Sequence, residues 1–367
     1  MTKLFLTRAF LICTLASLNV TYATAQVSEN DWQANLIVSG LNVPWGIAAV
    51  DDTTVLISQR NGEIGQVNLY TQRYTAIHQV SDVAVSGQGG LLDVARSPFE
   101  SDRYYFTFSK RIGDALETAL ATATIQAGKL SQWRELLVTK SGSDTGRHFG
   151  SRITFDDQYL YLSVGDRGER PNGQDRSTHA GSILRLHPDG TAPKDNPFVT
   201  EKDAQAEIWS YGHRNPQGLF YDGPSQTLWS IEHGPRGGDE INLIEKGANY
   251  GWPITSHGKE YWGPLAVGEA EEAPGVMSPR KVYVPSIAPG SLVLYRGEAF
   301  PELDGKLLAG ALKLTHINVL TLQNNNIIEE TRLLEPLGER IRDIEVLPNG
   351  GIVFSTDSGK LFQLTKP

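Results

Sequence analysis

The chain has almost no cysteine. Of its 367 residues only Cys13 carries a thiol, inside a short apolar run and preceded by Ile12, a poor fit to a lipoprotein cleavage site. A mature chain starting beyond that run has no disulfide and no thiol chemistry. Basic charge is in deficit too, with 33 Lys and Arg against 42 Asp and Glu, a formal −9. Nucleic-acid binding, which wants a basic face, is thereby disfavoured. Long hydrophobic runs are missing: Ala9 to Leu18 is too short to span a bilayer as a helix, so no membrane insertion is expected. There is no HExxH, EF-hand loop or Cys/His cluster, which makes a catalytic zinc a poor reading. Without a P-loop or dinucleotide fingerprint, any redox activity needs another kind of cofactor.

Residues 1–25 read as a secretory signal, with Lys3 and Arg8 at the start and Ala23-Thr24-Ala25 as the cleavage site before Gln26. A periplasmic or secreted location follows as an expectation. The mature chain, 26–367, then carries 31 basic against 42 acidic side chains, a formal −11.

Short alternating runs bounded by turn residues dominate and read as strands, such as Thr54–Ser58, Tyr104–Phe108, Tyr159–Ser163 and Gly351–Ser355. Aligned, they form a loose repeat whose units open at Trp45, Gly90, Ser151, Gln217, Gly290 and Ile341. Six copies at uneven spacing predict propeller blades in one domain, with a β-sandwich as the alternative. Asp31–Gly40 and Lys360–Thr365 both read as strands suited to closing the ring together. Gly263–Val284, rich in Glu and Pro, reads as a surface insertion within that domain.

Four turn-rich strings crowd residues 211–253: Tyr211–Gly218, Glu232–Pro235, Gly237–Asn242 and Asn249–Pro253. Gly and Pro set the backbone path there, and the Arg, Asn, Asp and Glu among them supply chemistry. Positive groups recur at the heads of units: His148, Arg214, Lys313, Arg340 and Arg342. In a propeller such loops converge on one end of the channel, so an anionic ligand with several carboxylates or phosphates is expected. Arg340 and Arg342 flank Ile341 and on a strand point the same way; two guanidinium forks on one face suit carboxylates, while an exposed pair on a strand edge is the alternative. Asp166, after the next strand, is spaced to orient His148 as a general base, although a lone histidine is more often structural. Asp239, Glu240 and the Asn249-Tyr250 turn offer hard oxygens suited to Ca²⁺ rather than zinc.

These residues resemble a family. Gly87–Asp93, His148–Arg152, Gly165-Asp166, Gly212–Gly218, Gly237–Asn242, Asn249–Pro253 and Arg340–Asp343 are similar to the motifs of soluble pyrroloquinoline-quinone (PQQ) dependent glucose and aldose sugar dehydrogenases. The likeness runs through most of the mature chain, which lacks the long insertions of the larger glucose-specific enzymes and so resembles the shorter aldose branch. It implies an all-β, six-bladed β-propeller with four-stranded antiparallel blades. It also implies PQQ over the channel mouth, met by Lys313, Arg340 and Arg342, with Gln88 and Asn215 hydrogen-bonding it and Arg214 near its reactive carbonyl. One Ca²⁺ is implied at the Gly234 and Pro235 carbonyls and a second at Glu240 and the Tyr250 backbone. His148 matches the family's base and Asp166 its partner. The implied partners are an aldose and an external electron acceptor, in a monomer or weak dimer.

Two other classes compete. A Ca²⁺-dependent lactone hydrolase on a propeller needs several channel carboxylates and no clustered cations, and Lys313, Arg340 and Arg342 count against it. A non-catalytic propeller module predicts that cofactor-facing positions drift, whereas here they hold the required residue types.

Overall fold

The computed structural model describes residues 31–366; the expected signal segment lies outside the described residues. Among these residues the chain forms 24 strands joined by loops and a few short 3₁₀ turns. No helix among them is long and apolar enough to cross a membrane. The strands form six four-stranded antiparallel sheets. Blade one holds β2 (Pro44–Ala49), β3 (Thr54–Gln59), β4 (Glu63–Asn68) and β5 (Arg73–Gln79). Blade two holds β6 (Leu91–Arg96), β7 (Arg103–Ile112), β8 (Ala115–Gln126) and β9 (Lys129–Val138). Blade three holds β10 (Ile153–Phe155), β11 (Leu160–Val164), β12 (Ser182–Leu186) and β13 (Ile208–Tyr211). Blade four holds β14 (Pro216–Asp222), β15 (Thr227–Glu232), β16 (Asp239–Ile244) and β17 (Lys281–Tyr283); blade five holds β18 (Pro289–Leu294), β19 (Leu307–Ala311), β20 (Ile317–Gln323) and β21 (Asn326–Leu333). Blade six holds β22 (Ile341–Val346), β23 (Ile352–Thr356), β24 (Lys360–Thr365) and, from the other end of the chain, β1 (Gln33–Val38).

The six predicted unit openings fall within a few residues of the starts of the six inner strands. The ring closes as expected, with β1 antiparallel to β24 and Gln33 opposite Thr365. The insertion differs from expectation. It begins right after Ile244, and its predicted last residues include β17, where Tyr283 pairs with Asp239. Three residues give no readable period, so only the partner strand reveals them.

Burial grades from the channel outward. Both faces of β2 and β3 are covered, so every residue in them is buried, whereas β5 is mostly exposed. Inner strands therefore read as unbroken runs such as Pro44-Trp45-Gly46-Ile47-Ala48-Ala49 rather than as alternation. Apolar clusters fill each seam between neighbouring blades; Ala48, Leu56 and Ile64 of blade one, for example, pack on Val94, Phe106 and Phe108 of blade two. A hydroxyl accompanies many of these seams. Ser58, Thr107, Ser163 and Ser355, each on the second strand of its blade, donate to Leu92, Ser151, Pro216 and Pro44 carbonyls at the head of the next.

Candidate active site at the channel mouth

Antiparallel order puts two sets of loops on one face: those leading into each inner strand, and the turns leaving each second strand. A cavity of about 400 Å³ opens there. A local irregularity shapes it. The pairing register slips at the head of five inner strands, after Pro44, Leu91, Pro216, Pro289 and Ile341. An extra residue in one strand re-aims its side chain. Trp45, Leu92, Gln217 and Arg342, all at these slips, line the cavity.

The predicted cations divide. Arg340 and Arg342 line the cavity and share one carboxylate: Arg340 Nε lies 2.9 Å and Arg342 Nε 2.8 Å from Asp357. They do converge, but Arg340 precedes β22 and Arg342 sits at the register slip, so regular strand alternation is not the cause. Burial alone would raise the Asp357 carboxyl, yet the two guanidinium groups hold it below the usual range. Lys313 is not at the head of a unit. It occupies the turn leaving β19, exposed, one residue past Leu312, which lines the cavity and accepts from Arg340 Nη1 at 2.9 Å. Arg60, in the turn leaving β3, was not expected and lines the same cavity. Three guanidinium groups thus face one carboxylate there, leaving an excess of positive charge.

Gln88 and Asn215 also line the cavity. Gln88 Oε1 accepts from the His148 amide at 2.8 Å, and Asn215 Oδ1 accepts from the Gly150 amide at 3.1 Å. His148 stands beside it, between Arg147 and the cavity-lining Phe149. Its Nδ1 lies 2.6 Å from Asp166 Oδ1, and Asp166 is almost wholly buried. The other Asp166 oxygen accepts from the Trp252 indole at 2.8 Å, and the Gly168 amide donates to Oδ1 at 2.7 Å. Burial would raise this carboxyl, but its bond to His148 and the charges of His148 and Arg214 bring it below the usual range. Burial lowers the His148 imidazole, Asp166 pulling the other way and Arg214 adding to the fall. The ring is therefore neutral at pH 7. An ionised Asp166 takes Nδ1–H, which leaves Nε2 as a free acceptor.

Arg214 is mostly buried beside this pair. Its Nη1 donates to the carbonyls of His233 at 3.0 Å and Gly234 at 2.8 Å, and its amide to Glu232 at 2.7 Å. His233 was also not singled out. It lines the cavity, donates from Nε2 to the Pro289 carbonyl at 2.6 Å, and is held neutral by burial, its pKa lowered to about 3. The missed residues Arg60, His233 and Asp357 share a signal: each lies at the end of a second strand, the class of turn that the search for strand heads passed over.

Among the described residues no group of three or more His, Cys, Asp or Glu is arranged to hold a metal. Asp239 does not offer free oxygens, since they accept from the amides of Gly234 at 2.9 Å and Ala288 at 2.8 Å. The Gly234 carbonyl is engaged by Arg214, and that of Pro235 by Ser286 at 3.4 Å. The pair therefore fits Ca²⁺ poorly unless Arg214 turns away. Glu240 and Tyr250 fit better. They line a cavity of about 10 Å³ with Glu232, room for one small ion or water. Burial and the neighbouring Glu232 raise the Glu240 carboxyl, and the nearby Asn242 Oδ1 is buried without a partner.

Fold and pocket together define a class, the six-bladed β-propellers with a cation-lined cavity at one mouth of the channel. Residues 41–363 match a family described as Glucose / Sorbosone dehydrogenase, and the chain belongs to it. It is 36% identical over 368 residues to aldose sugar dehydrogenase YliI of Escherichia coli K12, covering 97% of this chain and 96% of that one. The apo-form crystal structure of the soluble aldose sugar dehydrogenase of Escherichia coli superimposes with a TM-score of 0.88 at 35% identity, over 92% of this chain and 100% of that one. A PQQ-bound aldose sugar dehydrogenase from Streptomyces coelicolor shares the fold, with a TM-score of 0.72 at 24% identity over 91% of this chain and 98% of that one.

Proposed function

We propose that this chain is a PQQ-dependent aldose sugar dehydrogenase, exported to the periplasm or secreted, that oxidises the anomeric C1 hydroxyl of aldoses to lactones. The observation that carries this reading is a neutral His148, braced by an ionised Asp166, beside a pocket where three guanidinium groups exceed one carboxylate. Such a pocket suits a flat polycarboxylate. Arg60, Arg340 and Arg342 would hold its carboxylates, with Lys313 reaching in from the rim and Gln88, Asn215 and Gln217 offering amide hydrogen bonds. Bound there, the quinone supplies the two-electron acceptor that takes hydride from C1, to be reoxidised by an external acceptor.

The chain supplies the rest. His148 Nε2 accepts the proton of the anomeric hydroxyl, and Asp166 keeps Nδ1 protonated and the ring oriented. Arg214 would bring positive charge beside the acceptor's reactive carbonyl, where the negative charge carried by the hydride ends up. Hydride and proton together account for the two-electron oxidation of the hemiacetal to a lactone. Asp166 does not take the proton, because the interactions that hold it ionised persist when His148 becomes cationic. With Gly234 engaged by Arg214, no step is assigned to a Ca²⁺ at that carbonyl. A structural Ca²⁺ is assigned to Glu240 and the Tyr250 carbonyl.

Adding PQQ and Ca²⁺ to the purified protein should produce dye reduction that depends on an aldose. His148→Ala should lower turnover by roughly 10²–10⁴-fold while PQQ still titrates into the protein. Full turnover in that variant removes His148 from the chemistry. Millimolar Ca²⁺ should raise the Tm of the quinone-free protein, since an ion bound only by the folded state stabilises it. Glu240→Gln should abolish that rise, and a rise that survives moves the ion elsewhere.

A further inference from the structure

We infer that Arg167 is a positioning residue for His148: with the preceding Asp166 it makes a two-residue clamp in which the carboxylate holds the imidazole and the guanidinium holds the main chain on both sides of the histidine. The inference rests on the reading of His148 as the base.

His148 has φ of +54°, in the left-handed region that a non-glycine residue adopts only under constraint. The constraint is visible on both flanks. Arg167 Nη1 donates to the carbonyl of Arg147, the residue before. The Arg167 guanidinium lies 3.6 Å from the ring centre of Phe149, the residue after. Its Nη2 donates to the Leu116 carbonyl of β8 at 2.9 Å, tying the assembly to blade two. The Arg167 carbonyl in turn accepts from Thr145 Oγ1 at 2.7 Å, which laces the turn after β11 to the loop carrying the histidine.

The placement of Arg167 is hard to explain by stability. The side chain is wholly inaccessible, forms no ion pair among the described residues, and leaves Nε without a partner. Burial lowers its pKa to about 10, the charges of Glu117, Asp166 and Glu169 opposing the fall, so it remains cationic at neutral pH. A buried cation without a contacting counter-ion is costly, and an apolar side chain of similar length would fill the space at less expense. Only a planar fork can stack on a ring while donating in its plane to two carbonyls, which a lysine cannot do. Because Asp166 and Arg167 are consecutive in one turn, any movement of that turn shifts ring and backbone of His148 together.

The test uses the full-length protein, without cofactor and loaded with PQQ, as wild type, Arg167→Lys and Arg167→Met. NMR titration of the His148 imidazole in the cofactor-free protein is the readout that a purely structural role would not move. With the clamp broken, the ring leaves its buried position, and its pKa should climb towards the ordinary histidine value. Turnover should fall about 10–100-fold, the scale expected of a small misplacement, with PQQ affinity unchanged. An unmoved His148 titration in a folded variant overturns the proposal, as does a loss of PQQ affinity in step with turnover. If neither variant folds, Phe149→Leu, which removes only the stacked ring, must shift the titration in the same direction by a smaller amount; no shift there also overturns it. The base assignment is judged separately by His148→Ala, and its failure leaves the titration result standing.

Discussion

At the residue scale the proposed chemistry turns on a neutral histidine and an ionised aspartate 2.6 Å apart. The two pKa values are pushed by different forces, burial on His148 and hydrogen bonding with charge on Asp166. Because burial lowers the imidazole, the acid limb of kcat/KM should lie below the ordinary histidine range, His148 staying unprotonated to lower pH. Asp166→Asn removes the carboxylate that pulls this pKa up. The acid limb should therefore move further down in pH, even as kcat falls by about 10²–10⁴-fold with loss of the ring's brace. A pH profile of the variant that keeps the wild-type limb contradicts the assigned coupling. The pair was legible in the sequence as a spacing. The Trp252 indole that completes it was not, because that residue lies 86 residues away in the chain.

The blade is the element here, and each needs its neighbour. The second-strand hydroxyls illustrate this. Ser163 Oγ donates to the Pro216 carbonyl at 3.1 Å and accepts from the Arg152 amide at 2.9 Å, both in buried surroundings. Ser230, at the corresponding place on β15, is buried with its hydroxyl unpartnered, and the Pro289 carbonyl of the next blade accepts instead from His233. Ser163→Ala should therefore cost about 1–2 kcal/mol, because it strands both partners. Ser230→Ala should stay within about 0.5 kcal/mol of wild type. Urea midpoints at constant slope measure both, and equal losses would refute the assignment. Sequence reasoning could place second strands from their apolar runs. It could not say which serine finds a carbonyl, since that depends on the adjoining blade.

One side chain organises the whole molecule. Arg152, at the head of blade three, bonds Asp93 at 2.8 Å, Asp343 at 2.9 Å, and the carbonyls of Gln217 and Gly290, each at 2.8 Å, and of Arg342 at 3.1 Å. Its guanidinium also stacks 4.3 Å from the Trp45 ring centre, so it touches every other blade. Burial raises the carboxyls of Asp93, to about 7, and of Asp343, and the Arg152 charge opposes that rise without cancelling it. Arg152→Met should cost about 3–5 kcal/mol by leaving two buried carboxylates unpaired. Adding Asp93→Asn should restore part of that loss, and denaturation in which the double variant is no more stable than the single one would argue against the charge-pairing role. Arg152 appeared in the sequence only as the last residue of a motif, with no sign that it sits on the ring axis.

The sequence alone determined the architecture: six recurrent openings, short strand runs and two terminal strands pointed to a six-bladed ring, over a β-sandwich, and to a way of closing it. Those features are local, set by pleat, turn chemistry and burial within tens of residues. It also pointed to a candidate site on one face, through His148, Arg214, Lys313, Arg340 and Arg342. The tertiary structure decided which of those groups meet. It separated Arg340 and Arg342 in the cavity from Lys313 at its rim, brought in Arg60, His233 and Asp357, and engaged the Gly234 carbonyl with Arg214. A propeller's site is assembled from turns of different blades, and the relative position of two blades is set by the side chains packed between them, which no single stretch of chain records.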